Sequence, residues 1–262
     1  MSDGRLFNLR CLSEGLPPMN TLIDHAKSFA SSTWMRTLGG RGEFAALKEQ
    51  TAFDFPRLLP LDVCKALVSR IDEVTDDPGH PRVWRDAADS DRRIFQFERD
   101  CPDLVEHFEV DRRIGAIDDY LGLKTHCWLL MANRVVPKEG NLGSGGGLHR
   151  DSPFSHQIKC IWYLNDVSSE NGPFHYAPGT NFNLLRTRNV YPLGQTRFEK
   201  AHDALVEVHA RAGSLLVCDT KCVHGGKPMT SGVRYAVTLY TFTRPNAAEA
   251  MMTKLGLDPA RA

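Results

Sequence analysis

GSGGGLHRDSPF, residues 143–154, opens with glycines that suit a phosphate loop and continues into a His-Arg-Asp triplet that suits a metal site. A P-loop needs Gly-x-x-x-x-Gly-Lys-Ser/Thr leading into a helix, where backbone N–H groups and the lysine meet the anion. Here the glycines run into Leu148 and His149, no lysine follows, and Pro153 stands where a helix would be starting. Nor does a Gly-x-Gly-x-x-Gly open a helix inside a βαβ unit. The remaining reading is a mobile loop between strands, free of side chains and able to border a substrate cavity. It leads into an extended segment in which His149 and Asp151, two apart, share a face while Arg150 points elsewhere.

Working outward from that stretch, the chain divides near residue 124. On the C-terminal side, β-prone runs alternate with Gly, Pro, Asn and Asp: HCWLLMANRVV, HQIKCIWYLNDV, GPFHYAP, ALVEVHA, SLLVCDT and VRYAVTLYTF. On the N-terminal side, residues 43–53, 61–74 and 110–122 repeat apolar positions at helical intervals, with Asp62 and Gly122 placed as caps. Helices first and strands afterwards predict a mainly β protein of α+β character, a sheet sandwich buttressed by N-terminal α-helices. The expected layout is one domain over 1–262, with a helical part at 1–124, a β core at 125–245 and a tail at 246–262.

Composition removes several classes of function. Lys plus Arg (32) balances Asp plus Glu (32) and the sequence pI is about 7.1, which leaves no footprint for a polyanion; no nucleic-acid partner is expected. Hydrophobic residues at 42% and charged residues at 24% fit a globular chain with a substantial core. Seven cysteines (11, 64, 101, 127, 160, 218 and 222) are scattered without a CxxC pair, so neither a disulfide framework nor a zinc knuckle is indicated. No secretory leader and no apolar run long enough for a bilayer is visible; a cytoplasmic protein without membrane insertion is expected. The oligomeric state is not legible.

A lone His-x-Asp occurs often by chance. The pair gains weight from His224, just after the strand run SLLVCDT and before Gly225-Gly226. Two histidines and one carboxylate, with three coordination positions open, form the ligand set of non-haem Fe(II) oxygenases. Ten residues on, Arg234 heads a strand whose alternation puts Ala236, Thr238 and Tyr240 on the same face, where a guanidinium can grip a carboxylate bidentately. The same triad would also serve a zinc or manganese hydrolase or isomerase, which leaves Arg234 without a purpose, or persist in a non-catalytic jelly-roll binding protein.

From about Met131 to Phe242 the chain resembles the phytanoyl-CoA dioxygenase-like branch of the Fe(II)/2-oxoglutarate oxygenases, through GLHRDSPF, WYLNDVSSENGPFHYAPGTN and VHGGKPMTSGVR. The resemblance implies a double-stranded β-helix (a cupin-like jelly roll) with Fe(II) held by His149, Asp151 and His224. It also implies 2-oxoglutarate as co-substrate, its distal carboxylate on Arg234, and O2 as oxidant, with succinate and CO2 released as a small-molecule substrate is hydroxylated. The Asp151 carboxylate favours hydroxylation over halogenation, while desaturation, epimerisation and ring closure use the same ligand set. Lys159 and Tyr163 on one strand, and Asn133 on another, are candidates to reach 2-oxoglutarate; solvent-facing or structural roles compete. Ser231 is a candidate helper for Arg234, His156 and His175 are read as non-ligands, and Cys218 and Cys222 as core or loop thiols. For the substrate, Arg41, Arg82, Arg85, Arg92 and Arg93 offer positive charge beside the mouth, and Trp84 offers a ring for a sugar or acyl chain; surface charge is the simpler account of each arginine.

Overall fold

The computed structural model describes residues 19–182, 191 and 195–258. Its helices are α1 (Met19–Thr37), α2 (Leu47–Gln50), α3 (Leu61–Asp76), α4 (Val110–Leu121) and α5 (Ala247–Lys254). The first six strands are β1 (Ala52–Phe55), β2 (Val83–Arg85), β3 (Asp91–Phe95), β4 (Cys127–Val135), β5 (Leu148–His149) and β6 (Ile158–Tyr163). β7 (Phe174–Tyr176), β8 (Arg197–Phe198), β9 (Val206–Glu207), β10 (Leu215–Asp219), β11 (His224–Gly226) and β12 (Arg234–Phe242) follow. They form a seven-stranded sheet in the order β1-β10-β6-β12-β4-β3-β2 and a five-stranded sheet in the order β8-β5-β11-β7-β9, with every pairing antiparallel. This is the β architecture expected of a jelly roll.

Period-two alternation assigns the two faces of the large sheet. On β6, Ile158, Cys160 and Trp162 point toward the helices, where they join Leu67 and Ile71 of α3, Ile117 and Tyr120 of α4, and Phe108 in one buried cluster. Trp162 meets Phe108 edge-on at 5.0 Å between centroids. Burying side chains of this kind contributes about 1.5–3 kcal/mol each, so the helical layer fixes the outer face of the sheet. Lys159, Ile161 and Tyr163 point the other way; Tyr163 packs with Phe174 and Tyr176 of the small sheet. The site lies between the sheets because that inner face carries the polar half of the alternation.

Several expectations need correction. The 43–53 helix is a short 3-10 turn at Gly42–Phe44 followed by α2. Thr51, at φ 68, then reverses the chain into β1, whose Phe53 and Phe55 gain a partner along β10. Asp62 does not cap α3: Pro60 precedes the helix without a side-chain cap, and Asp62 sits in the first turn, where its charge suits the positive helix end. Gly122 does close α4, at φ 63 with its N–H donating to the Asp118 carbonyl. The nominally helical part also supplies β1, β2 and β3. The tail forms α5, which packs Ala248 and Met252 against Leu129 and Met131 of β4. No helix among the described residues is long and apolar enough to cross a membrane.

Candidate metal and co-substrate site

β5 ends at His149, so the metal stretch is extended only at its start. Two backbone hydrogen bonds then steer the chain: Arg150 N–H donates to Thr196 and Asp151 N–H donates to Thr220. β11 pairs beside β5 with His224 directly opposite His149. The two imidazoles therefore lie 4.4 Å apart between centroids, while Arg150 turns away to cover the Phe198 ring. Asp151 brings Oδ1 to 3.4 Å from His149 Nε2 and 3.9 Å from His224 Nε2. The three potential ligand atoms lie within 4.8 Å of one another.

Each histidine has its tautomer set by the backbone. His149 Nδ1 lies 2.9 Å from the Gly147 carbonyl and His224 Nδ1 lies 3.0 Å from the Cys222 carbonyl. With those N–H groups donated, both Nε2 lone pairs face Asp151, the arrangement a divalent metal requires. Burial, with His149 as the second cause, pulls His224 down to about 4, so it is neutral near pH 7. Burial alone would raise Asp151, but contact with His149 and the positive charge of Lys159 hold it below the usual carboxylate range. Phe174 stacks on His224 at 5.3 Å and walls one side.

The triad faces a cavity of about 140 Å³ that also reaches Arg234, Asn133, Lys159 and Tyr163. Arg234, Ala236, Thr238 and Tyr240 share that wall, as strand alternation requires. Arg234 is 4% exposed, donates Nη1 to the Gly172 carbonyl, and has no other protein acceptor among the described residues. Lys159 Nζ sits 3.9 Å from Asp151 Oδ2 and 3.3 Å from the Tyr240 ring centroid; burial draws it down to about 8. Tyr163 Oη accepts the Phe174 N–H at 3.2 Å, and Asn133 lies 3.5 Å from Asp91. Ser231 is elsewhere: its hydroxyl donates to Glu170 outside the cavity.

Other residues were not legible as partners. His156 pairs with Asp219 at 2.5 Å, and Asn181 donates to the same carboxylate, tying the chain after Asp151 to the turn before His224. Cys218 and Cys222 are fully buried and their thiols are pushed well up by burial, which makes them poor metal ligands. Of the N-terminal arginines, Arg82 is locked on Asp100, Arg85 on backbone carbonyls and Arg92 on Asp89; only Arg93 lines the cavity. Trp84 has one face covered by the Arg93 guanidinium at 5.1 Å, so that face is closed to a sugar or acyl chain.

Residues 54–236, more than two thirds of the chain, match the family model for phytanoyl-CoA dioxygenase (PhyH). The chain belongs to this family. As a PhyH member it is an Fe(II)/2-oxoglutarate-dependent oxygenase-type enzyme that uses O2. No curated protein matches it by sequence. Solved structures share the fold at low identity. The non-heme alpha ketoglutarate dependent epimerase SnoN from nogalamycin biosynthesis is 17% identical, with TM-score 0.56 over 78% of this chain and 84% of its own. HygX from Streptomyces hygroscopicus, with nickel and 2-oxoglutarate bound, is 18% identical, with TM-score 0.53 over 76% and 85%. A Pseudomonas putida prolyl-4-hydroxylase is 14% identical, with TM-score 0.53 over 76% and 96%.

Proposed function

We propose that this PhyH-family enzyme hydroxylates an unactivated C–H bond of a small molecule, with His149, Asp151 and His224 as its metal ligands. The observation that carries the reading is the meeting of two tautomer-fixed Nε2 atoms and one carboxylate on a cavity that Arg234 also lines. When bound, Fe(II) supplies the oxidising chemistry, coupling decarboxylation of 2-oxoglutarate by O2 to attack on the substrate.

The chain's own residues position and shield. Arg234, fixed by Gly172, presents its remaining N–H groups to the distal carboxylate of 2-oxoglutarate, a bidentate charge-assisted contact. Lys159, Tyr163 and Asn133 flank that space, Lys159 from beside the metal carboxylate, and orient the co-substrate between anchor and metal. Asp151 occupies the position that a halide would need, which supports oxygen transfer over halogenation. Three protein ligands leave room for a chelating co-substrate and O2, whereas a hydrolase or isomerase would give Arg234 no work. HygX with hygromycin B bound and SnoN with nogalamycin RO bound support a small-molecule substrate, such as a sugar, an amino acid or a lipid-linked intermediate.

Anaerobic Fe(II) and 2-oxoglutarate added together to metal-free protein will give a weak visible charge-transfer band that neither gives alone. Its absence in folded protein would defeat the reading. Once a substrate turns over, product mass separates the outcomes: one added oxygen for hydroxylation, no change for epimerisation, and loss of two hydrogens for ring closure or desaturation.

A further inference from the structure

Arg93 is the cavity cation that neither the metal nor the co-substrate explains. It projects from β3 in the same row as Asn133 of β4, Ala236 of β12 and Tyr163 of β6. Its guanidinium is held rigidly: Nε and Nη2 donate to Asp91 Oδ2 at 3.0 and 2.6 Å, Nη2 also donates to Ser144 Oγ at 3.1 Å, and Trp84 lies beneath. Nη1 has no protein acceptor among the described residues and is not sealed from solvent. Arg93 is therefore oriented by its neighbours with one donor edge left over, which is how a binding arginine differs from one consumed by an ion pair.

Its position separates it from the Arg234 anchor. The two arginines stand on strands separated by β4 and one pleat row apart, so their backbones are about 12 Å apart by ordinary sheet spacing. Asp91 lies in the Arg234 row and against Arg93, and electrostatically favours the charged form of both. Ser144 places Arg93 at the glycine rim of the cavity. Charge points the same way. Arg93, Lys159 and Arg234 face only the carboxylates of Asp91 and Asp151, leaving one positive charge. A divalent metal and a dianionic 2-oxoglutarate cancel one another, so that charge persists in the loaded site. Buried positive charge without a counterion is costly.

We propose that Arg93, presented by Asp91, Ser144 and Trp84, forms a second anion subsite that receives a carboxylate of the primary substrate. The preferred substrates are then small monocarboxylates that place the reacting carbon between Arg93 and the triad. This rests on the proposed function, since it takes the Arg234 end of the cavity to be filled by 2-oxoglutarate.

The test uses full-length protein loaded with Co(II), whose visible bands report ligands near the metal, and saturated with 2-oxoglutarate. Cyclohexanecarboxylate and its neutral amide are then titrated as matched probes. The carboxylate will perturb the bands saturably and the amide will not. Arg93→Gln will weaken the carboxylate response about tenfold or more while 2-oxoglutarate half-saturation stays within about twofold, and Arg93→Lys will recover part of the response. Because Arg93→Gln strands a buried carboxylate, Asp91→Asn/Arg93→Gln is measured beside it as a variant with a neutral pair. Equal binding of acid and amide, binding of neither, or an undiminished carboxylate response in both variants overturns the proposal. So does loss of 2-oxoglutarate affinity equal to the loss of probe, which would make Arg93 part of the co-substrate site. Failure of 2-oxoglutarate to bind before any probe is added is instead a failure of the proposed function.

Discussion

Arg234, the proposed anchor, illustrates how little of such a residue's behaviour follows from its own chemistry. On an exposed strand end it would be ordinary surface charge; here it is 4% exposed, pinned by Gly172, and pulled below the ordinary arginine range by burial. A buried guanidinium with unused donors gains strongly from a carboxylate partner, about 1.5–3 kcal/mol for a hydrogen-bonded charged pair. Arg234→Ala is therefore expected to weaken 2-oxoglutarate binding by roughly 10- to 100-fold. Metal affinity, which the proposal assigns to His149, Asp151 and His224, will stay nearly unchanged. Calorimetric titration of each ligand against wild type and variant reads both numbers, and equal 2-oxoglutarate affinity in the two proteins would remove Arg234 from the anchor role. Arg234→Lys, which keeps charge but loses the planar fork, will fall between them.

At the scale of an element, the glycine rim distinguishes conformational from steric need. Gly145 has φ +89, and a Cβ there would lie 2.3 Å from His149 Cε1; Gly147 has φ +88 with nothing within 4 Å. Both substitutions to alanine strain the backbone by about 1–3 kcal/mol, but only Gly145→Ala also drives an atom into the imidazole of His149, a proposed metal ligand. Gly145→Ala is expected to lose metal affinity by about tenfold or more, as displaced ligand geometry does, while Gly147→Ala loses stability alone. Thermal melting with and without Co(II) separates the two, and equal metal-dependent shifts would contradict this account. The same contrast shows what was legible. His149, Asp151 and His224 could be proposed together from residue type and resemblance, and β11 pairing beside β5 does bring them together, although Asp151 lies past the end of its strand rather than on it. β2 and β3 were not legible: VWR and DRRIF are short and rich in arginine, and the pairing of β3 with β4, which makes them strands of the large sheet, comes from a segment about forty residues on. β1 was read as helix because its pairing with β10 is supplied by a segment far along the chain.

Across the whole molecule, the helical layer and the β core are joined by buried polar groups as well as by apolar packing. Lys221, between β10 and β11, is 3% exposed and donates Nζ to Ser32 of α1 at 2.7 Å. Burial draws it from 10.5 to about 8, only partly opposed by Asp219. The unfolded chain therefore holds a proton on this group between about pH 8 and 10.5 that the folded protein has released. Stability from Lys221 rises with pH across that window, and below it the full penalty, on the order of 3 kcal/mol, applies. Buried thiols run the other way: burial pushes Cys64 up to about 11 and Cys101 and Cys160 up to about 12. The unfolded state ionises them first, so they lower stability as pH climbs past 9. With several thiols against one or two lysines, the wild-type profile is expected to fall on the alkaline side, hiding the lysine. A difference measurement exposes it. Lys221→Met leaves the thiols and Lys159 in place, so its stability advantage over wild type, from urea unfolding, will shrink by roughly 3 kcal/mol between pH 7.5 and 10.5. A constant difference across that range would mean that Lys221 keeps its proton in the fold, and that its bond to Ser32 joins helix to core without an electrostatic cost.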